Sequence, residues 1–350
     1  MNKIKNTVNI SDLNLIYESE GKEENIFGEE FVKRNKDNIE LVIEGKKTNL
    51  INKYKLKKGE NKIEMILKNK ITNLEGMFYQ CNELKNIDDL QYLNIKNVNN
   101  FGYMFYECSK LSDIKALEDW DVSNVNNFES MFQGCSNLSD IKPLENWDVS
   151  NVNNFGDMFS LCTKLSDIKS LENWNVSNGK DFGGMFQGCS KLSNIKPLEN
   201  WNVSNGNIFE YMFCECSSIS DIKPLENWNV SNGNNFNSMF CICSSILDIK
   251  PLENWDVSNA NNFASMFYGC LSLSDLKPLE NWNVSNGNNF GRMLCECSSI
   301  SDIKPLENWN VSNGRNFRCM FSGCSKISNI KPLKNWKISK IYFNDLFYIY

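Results

Sequence analysis

The chain has 350 residues, of which 41% are hydrophobic and 23% charged, with a net charge of −6. That much apolar material builds a packed core and excludes wholesale disorder, while no run of about eighteen apolar residues is present to cross a membrane as a helix. Histidine is absent, which removes the commonest general base and zinc ligand, and the acidic balance disfavours nucleic acid.

The opening stretch MNKIKNTVNISDLNLIYESE carries charge but no apolar core, so no secretory signal peptide is expected. Residues 1–71 hold 15 basic and 12 acidic side chains, net +3, against net −9 for the remainder. Within them Leu13–Glu18, Ile39–Ile43 and Lys62–Leu67 read as strands and Glu29–Lys36 as a short helix. The expectation is a small α+β domain over 1–71 that caps the open end of a repeat stack.

From residue 72 onward the chain is periodic. All nine tryptophans, Trp120 to Trp336, fall 27 residues apart, as do ten cysteines, Cys81 to Cys324. All seven prolines, Pro143 to Pro332, share one phase of the repeat. In Leu138–Cys162 the apolar Phe155, Met158, Phe159 and Cys162 stand at i, i+3, i+4 and i+7, which predicts a helix of about two turns. Leu138, Ile141, Leu144, Trp147 and Val149 step by three and then two, which suits extended pieces and turns. One such unit cannot bury its own apolar stripe; stacking places Trp on Trp, Phe on Phe and Cys on Cys. Strand pairing would set a rise of roughly 4.8 Å per coil and a length of about 50 Å. The expected fold is an α/β solenoid, a leucine-rich-repeat-like stack of about ten coils over residues 72–336. An aromatic C-terminal cap over 337–350 is expected to close it as a strand.

The pattern L-x-x-I-x-P-L-x-x-W-x-V-S-N-V-x-x-F-x-x-M-F-x-x-C resembles the BspA-like leucine-rich-repeat surface proteins. Trp147, Ser150, Asn151, Val152, Met158, Phe159 and Cys162 carry the match. The chain departs from that pattern where Phe155 and its equivalents replace a frequent Met, and where Gly179, Gly206 and Gly233 replace Val. The resemblance implies protein binding or adhesion at a cell surface, with no catalytic residues to carry over. The absence of an export signal or a spanning segment points instead to the cytoplasm.

Fourteen cysteines without an export signal read as reduced thiols. Those in phase with Phe and Met read as small core hydrophobes. The pairs Cys214-x-Cys216, Cys241-x-Cys243 and Cys295-x-Cys297 lack the usual zinc spacing, so no metal is expected. Asn175, Asn202, Asn229, Asn283 and Asn310 lie in N-x-S sequons. Asp121, Asp148 and Asp256 take the same phase, so a turn-forming acceptor explains both residue types. No phosphate loop, dinucleotide fingerprint or nucleophile–base set recurs, so neither an enzyme nor a cofactor is expected.

Comparing the repeats with one another locates the variation. I-K-P-L-E-N-W-N-V-S-N barely changes, whereas the positions between Phe and Met and between Met-Phe and Cys do. Glu129, Asp157, Glu210, Tyr211, Tyr268, Arg292 and Arg318 lie there and are the candidate partner-binding residues. A protein partner on this row is the expected function, with nucleic acid and membrane insertion excluded. An intracellular structural or self-associating scaffold is the alternative.

Overall fold

The structure is a computed structural model that describes residues 12–347; Tyr348, Ile349 and Tyr350 of the expected closing segment lie outside the described residues. The N-terminal strands form where alternation places them. They are β1 (Asp12–Glu20), β2 (Glu23–Asn25), β3 (Ile39–Ile43), β4 (Lys46–Asn49), β5 (Lys53–Lys55) and β6 (Lys58–Leu67), with helix α1 at Glu29–Asn35. Leu13, Leu15 and Tyr17 of β1 alternate inward and are buried, as are Ile39, Leu41 and Ile43 of β3. A seventh strand, β7 (Leu84–Asn86), comes from the first repeat and pairs antiparallel with β1, giving the sheet order β4-β3-β6-β1-β7. The sheet and the repeats therefore share a strand, and Phe27 continues the ring column by stacking on Phe78 at 5.5 Å.

From there the chain is a repeat stack in which a short 3-10 turn recurs every 27 residues, from Lys115–Leu117 to Lys304–Leu306. Lys142–Leu144 illustrates its logic. Pro143 supplies a fixed φ at the start of the turn, and Asp140 Oδ1 accepts the Lys142 N–H at 2.8 Å. The apolar columns pack as the period requires. Phe132, Phe159 and Phe186 stack at 5.9 and 6.0 Å, and the tryptophans are 3–6% exposed. Each Trp Nε1 also donates to a leucine carbonyl 30 residues earlier, as Trp174 does to Leu144 at 3.0 Å. These are core residues with a satisfied polar atom.

The expected two-turn helix over Phe155–Cys162 is absent. Phe155 to Cys162 instead makes two successive turns: Met158 N–H donates to Phe155 O at 3.2 Å and Cys162 N–H to Phe159 O at 3.1 Å. The third residue of each turn, Asp157 (φ 53°) and Leu161 (φ 59°), is left-handed, as a type II turn demands. The alternate amides leave the coil altogether. Phe155, Asp157, Phe159 and Leu161 N–H donate to Asp181, Gly183, Met185 and Gln187 carbonyls of the next coil at 2.6–3.0 Å. An α-helix would spend those same donors internally, and stacking wins because it satisfies them while burying the Phe and Cys columns. The ladder runs the length of the stack beside parallel bridges such as Asn127↔Asn154.

Polar columns finish the turns. Asn151 Nδ2 donates to Ser123 O at 2.7 Å, and Asn178 to Ser150 likewise. Asn175 Oδ1 accepts the Ser177 N–H at 3.2 Å as Asp148 accepts that of Ser150 at 3.1 Å, so Asn and Asp interchange there as turn acceptors. Among the described residues, no buried side-chain N or O atom lacks a partner.

The far end also departs from expectation. Residues Lys340–Asp345 form helix α2, not a strand, and Ser339 Oγ caps it by accepting the Tyr342 N–H at 3.3 Å. Its C-terminal carbonyls, Asp345 O and Leu346 O, accept Cys319 and Phe321 N–H at 2.8 and 2.9 Å. A helix end leaves carbonyls without intrahelical partners, and here two of them satisfy the Cys319 and Phe321 donors of the last coil, which gives a physical reason for a helix as the closing element.

Candidate partner-binding face

The double turn has an inner and an outer side. Phe, Met and Cys point inward; the residues between them ride on the outer ribbon, and the ladder holds equivalent positions one coil apart. Of the candidate residues, Tyr211 is 38% exposed, Arg292 and Arg318 are exposed, and Glu129, Asp157, Glu210 and Tyr268 are half-buried. They fall into groups. Glu129 and Glu210 lie within electrostatic reach of Asp157, and Arg292 N–H donates to Arg318 O at 2.8 Å near the C-terminal end. Tyr268 stands between, within electrostatic reach of Arg292 and Glu296.

Glu129 is the pivot of the acidic group. Its Oε2 accepts from Asn154 Nδ2 at 3.1 Å and its Oε1 from the Tyr103 hydroxyl. Glu210 Oε2 accepts from Asn235 at 2.7 Å. Burial, first, and then the neighbouring carboxylates Asp181, Glu129 and Glu210 raise the Asp157 carboxyl to about 6. Asp181 rises too, chiefly by burial, against a hydrogen bond from the Gly183 N–H. The crowding is possible because glycines stand opposite: a Cβ on Gly184 would meet Asp157 Oδ1 at 2.0 Å.

The raised acid has a stability consequence. Folded Asp157 binds its proton more tightly than the unfolded chain does, so its burial becomes less costly as pH falls through 6 toward the ordinary aspartate range. Asp157→Asn keeps a residue that tolerates the left-handed backbone. At pH 7.5 the variant is expected to be about 1 kcal/mol more stable, the two-unit shift being discounted for solvent access, with the gain vanishing near pH 4. Thermal melts of both proteins across that range check this; a gain unchanged between pH 7.5 and pH 4 would contradict the buried-carboxylate account.

Sequence reasoning passed over three tyrosines that complete this face. Tyr79 stacks on Tyr106 at 4.6 Å and 7°, and Tyr103 lies 6.0 Å from Tyr106. Beside them Gln80 donates to Glu107 at 2.9 Å. Their signal was register: Tyr79 and Tyr106 occupy the phase of Gln133 and Tyr268, and Tyr103 that of Asp157. The first two repeats simply begin the same row. Among the described residues no group of three or more Cys, Asp or Glu is arranged to hold a metal ion, and no helix is long and apolar enough to cross a membrane.

Residues 48–164, 137–248 and 243–348 each match the family model described as "Mycoplasma protein of unknown function, DUF285". No curated protein and no solved structure matches.

Proposed function

The chain belongs to the DUF285 family of Mycoplasma proteins, and we propose that it is a non-catalytic protein-binding module. In this reading it is a leucine-rich-repeat-like solenoid of BspA-like type, acting in adhesion at a cell surface and recognising its partner through the variable outer ribbon. The observation that carries the reading is the joining of stacked, partly exposed tyrosines to carboxylates: Tyr79, Tyr103 and Tyr106 beside Glu107 and Glu129, continuing to Asp157, Asp181 and Glu210. Aromatic faces and carboxylates together suit lysine or arginine side chains, so the partner presents a basic segment. Arg292 and Arg318 extend the footprint toward acidic groups of the same partner. The covered ends of the stack favour this over end-to-end self-association, because neither Met77 O nor Phe321 N–H is left open to another copy.

The test is affinity capture from source cells on three baits: the wild type, Tyr106→Ala/Glu129→Gln, and Arg292→Glu/Arg318→Glu. The expected result is one discrete protein, eluted by salt, retained by the wild type and reduced at least about tenfold by either variant. Equal retention on all three baits, or capture of nothing, overturns the proposal.

A further inference from the structure

The fourteen cysteines comprise ten column residues, three (Cys214, Cys241 and Cys295) two residues before the column, and Cys319. Ten form the column in phase with Phe, and in it each Sγ beyond the first coil donates to a main-chain carbonyl of the preceding coil, as Cys189 does to Phe159 O at 3.2 Å and Cys243 to Phe213 O at 3.0 Å. Cys189 is wholly enclosed, and burial pushes its thiol up to about 12. Such a thiol reaches neither an oxidant nor the thiolate form.

Cys214 and Cys241 sit two residues before that column, on the outer ribbon. Glu215 N–H donates to Cys241 O at 2.7 Å, and Gly188 N–H to Cys214 O at 2.8 Å, so the ladder holds the two cysteines in register on adjacent coils. Strand-like neighbours lie about 4.8 Å apart, inside the roughly 4.4–6.8 Å window that a disulfide needs between Cα atoms. The two thiols lie within interaction range of each other. Cys214 is 3% and Cys241 9% exposed, so the pair lies just beneath the solvent-facing surface. We propose that Cys214 and Cys241 are a thiol pair that peroxide oxidises to a disulfide joining two adjacent coils.

The chemistry balances with hydrogen peroxide as the oxidant. Cys241, the more exposed of the two at 9% against 3%, meets the oxidant first and is the nucleophile. Its thiolate attacks one peroxide oxygen, the O–O bond breaks, and Cys241 becomes a sulfenic acid while hydroxide leaves and takes up a proton as water. Cys214 sulfur then attacks the sulfenic sulfur, the S–O bond breaks, and a second water departs with the Cys214 proton. Two thiols lose two electrons and one peroxide gains them. The Cys241 position is flanked on the ribbon by Ile242, 40% exposed, and the cross-link fastens the coils at mid-ribbon without touching the Phe columns.

The experiment treats the folded full-length protein with dilute hydrogen peroxide, alkylates free thiols after unfolding, and maps the products by mass. The expected result is a loss of about 2 Da, two of the fourteen thiols protected, and a peptide linking Cys214 to Cys241. In Cys214→Ala a trapping reagent labels Cys241 as sulfenic acid, and neither Cys214→Ala nor Cys241→Ala yields a linked peptide. The mapping on the wild type stands even where a variant folds poorly. Fourteen free thiols after treatment, or a bond between column cysteines such as Cys216 and Cys243, overturns the proposal.

Discussion

Phe159→Ala is expected to lower unfolding free energy by about 4 kcal/mol and to split the unfolding transition in two. The ring is fully enclosed and faces Phe132 at 5.9 Å and Phe186 at 6.0 Å, nearly parallel to both. One truncation therefore empties two coil interfaces. A stack is held by nearest-neighbour terms, so weakening two consecutive ones in the middle uncouples the N-terminal coils from the C-terminal coils. Phe321 sharpens the comparison because it ends the column against Phe347; Phe321→Ala is expected to cost less and to leave one transition. Urea unfolding followed by circular dichroism decides. A loss under about 1.5 kcal/mol at Phe159, or equal losses at both sites, would show that the Phe column does not couple the coils.

Gly206→Val is expected to cost about 3 kcal/mol although valine is the native residue at the same phase in Val98, Val125 and Val152. A Cβ on Gly206 would meet Phe209 Cζ at 2.4 Å. The ring has moved there from the position it takes in earlier coils: Phe101 and Phe128 lie 5.4 and 5.3 Å from their tryptophans, whereas Phe182 and Phe209 lie 6.2 and 6.3 Å away. Phe155, beside Val152, is also 6.2 Å from Trp174, so the close Cβ contact and not the Trp distance marks the glycine coils. Once displaced, Phe209 stacks on Phe182 at 5.7 Å and Phe236 at 5.5 Å, so driving it back disrupts both stacks. Gly206→Ala is expected to be milder, since Ala260 is accommodated where Phe263 stands 6.2 Å from Phe236. Thermal melts of the two variants test the order; Val as harmless as Ala would refute the ring-displacement account.

The repeat period, the buried columns and the N-terminal strands were legible because each rests on spacing and burial. The two-turn helix was not, since F-x-x-M-F-x-x-C gives the same i, i+3, i+4, i+7 pattern whether the chain coils or turns twice. Only backbone sign separates the two, and Gly184 and Gly188, both left-handed, hinted at it where Asp157 and Leu161 concealed it. Helix α2 was illegible for a related reason. Its aromatic content favours a strand, but what the last coil requires is bare acceptors, and a helix terminus supplies them. The outer ribbon is legible from variation between repeats. Its acidic crowding and tyrosine stack are not, because they depend on side chains meeting across coils.

The ladder gives the stack a direction. Its amides on the double turn all donate toward the C-terminus, so the first coil presents carbonyls and the last presents N–H groups. The lids answer in kind: Gly28 N–H reaches Met77 O at 2.9 Å, and the end of α2 offers Asp345 O and Leu346 O. A donor lid and an acceptor lid cannot trade places, yet neither senses how many turns separate them. Gene duplication can therefore lengthen or shorten this protein by whole 27-mers while both lids stay as they are, and the ribbon grows or shrinks as a ruler does, one graduation at a time.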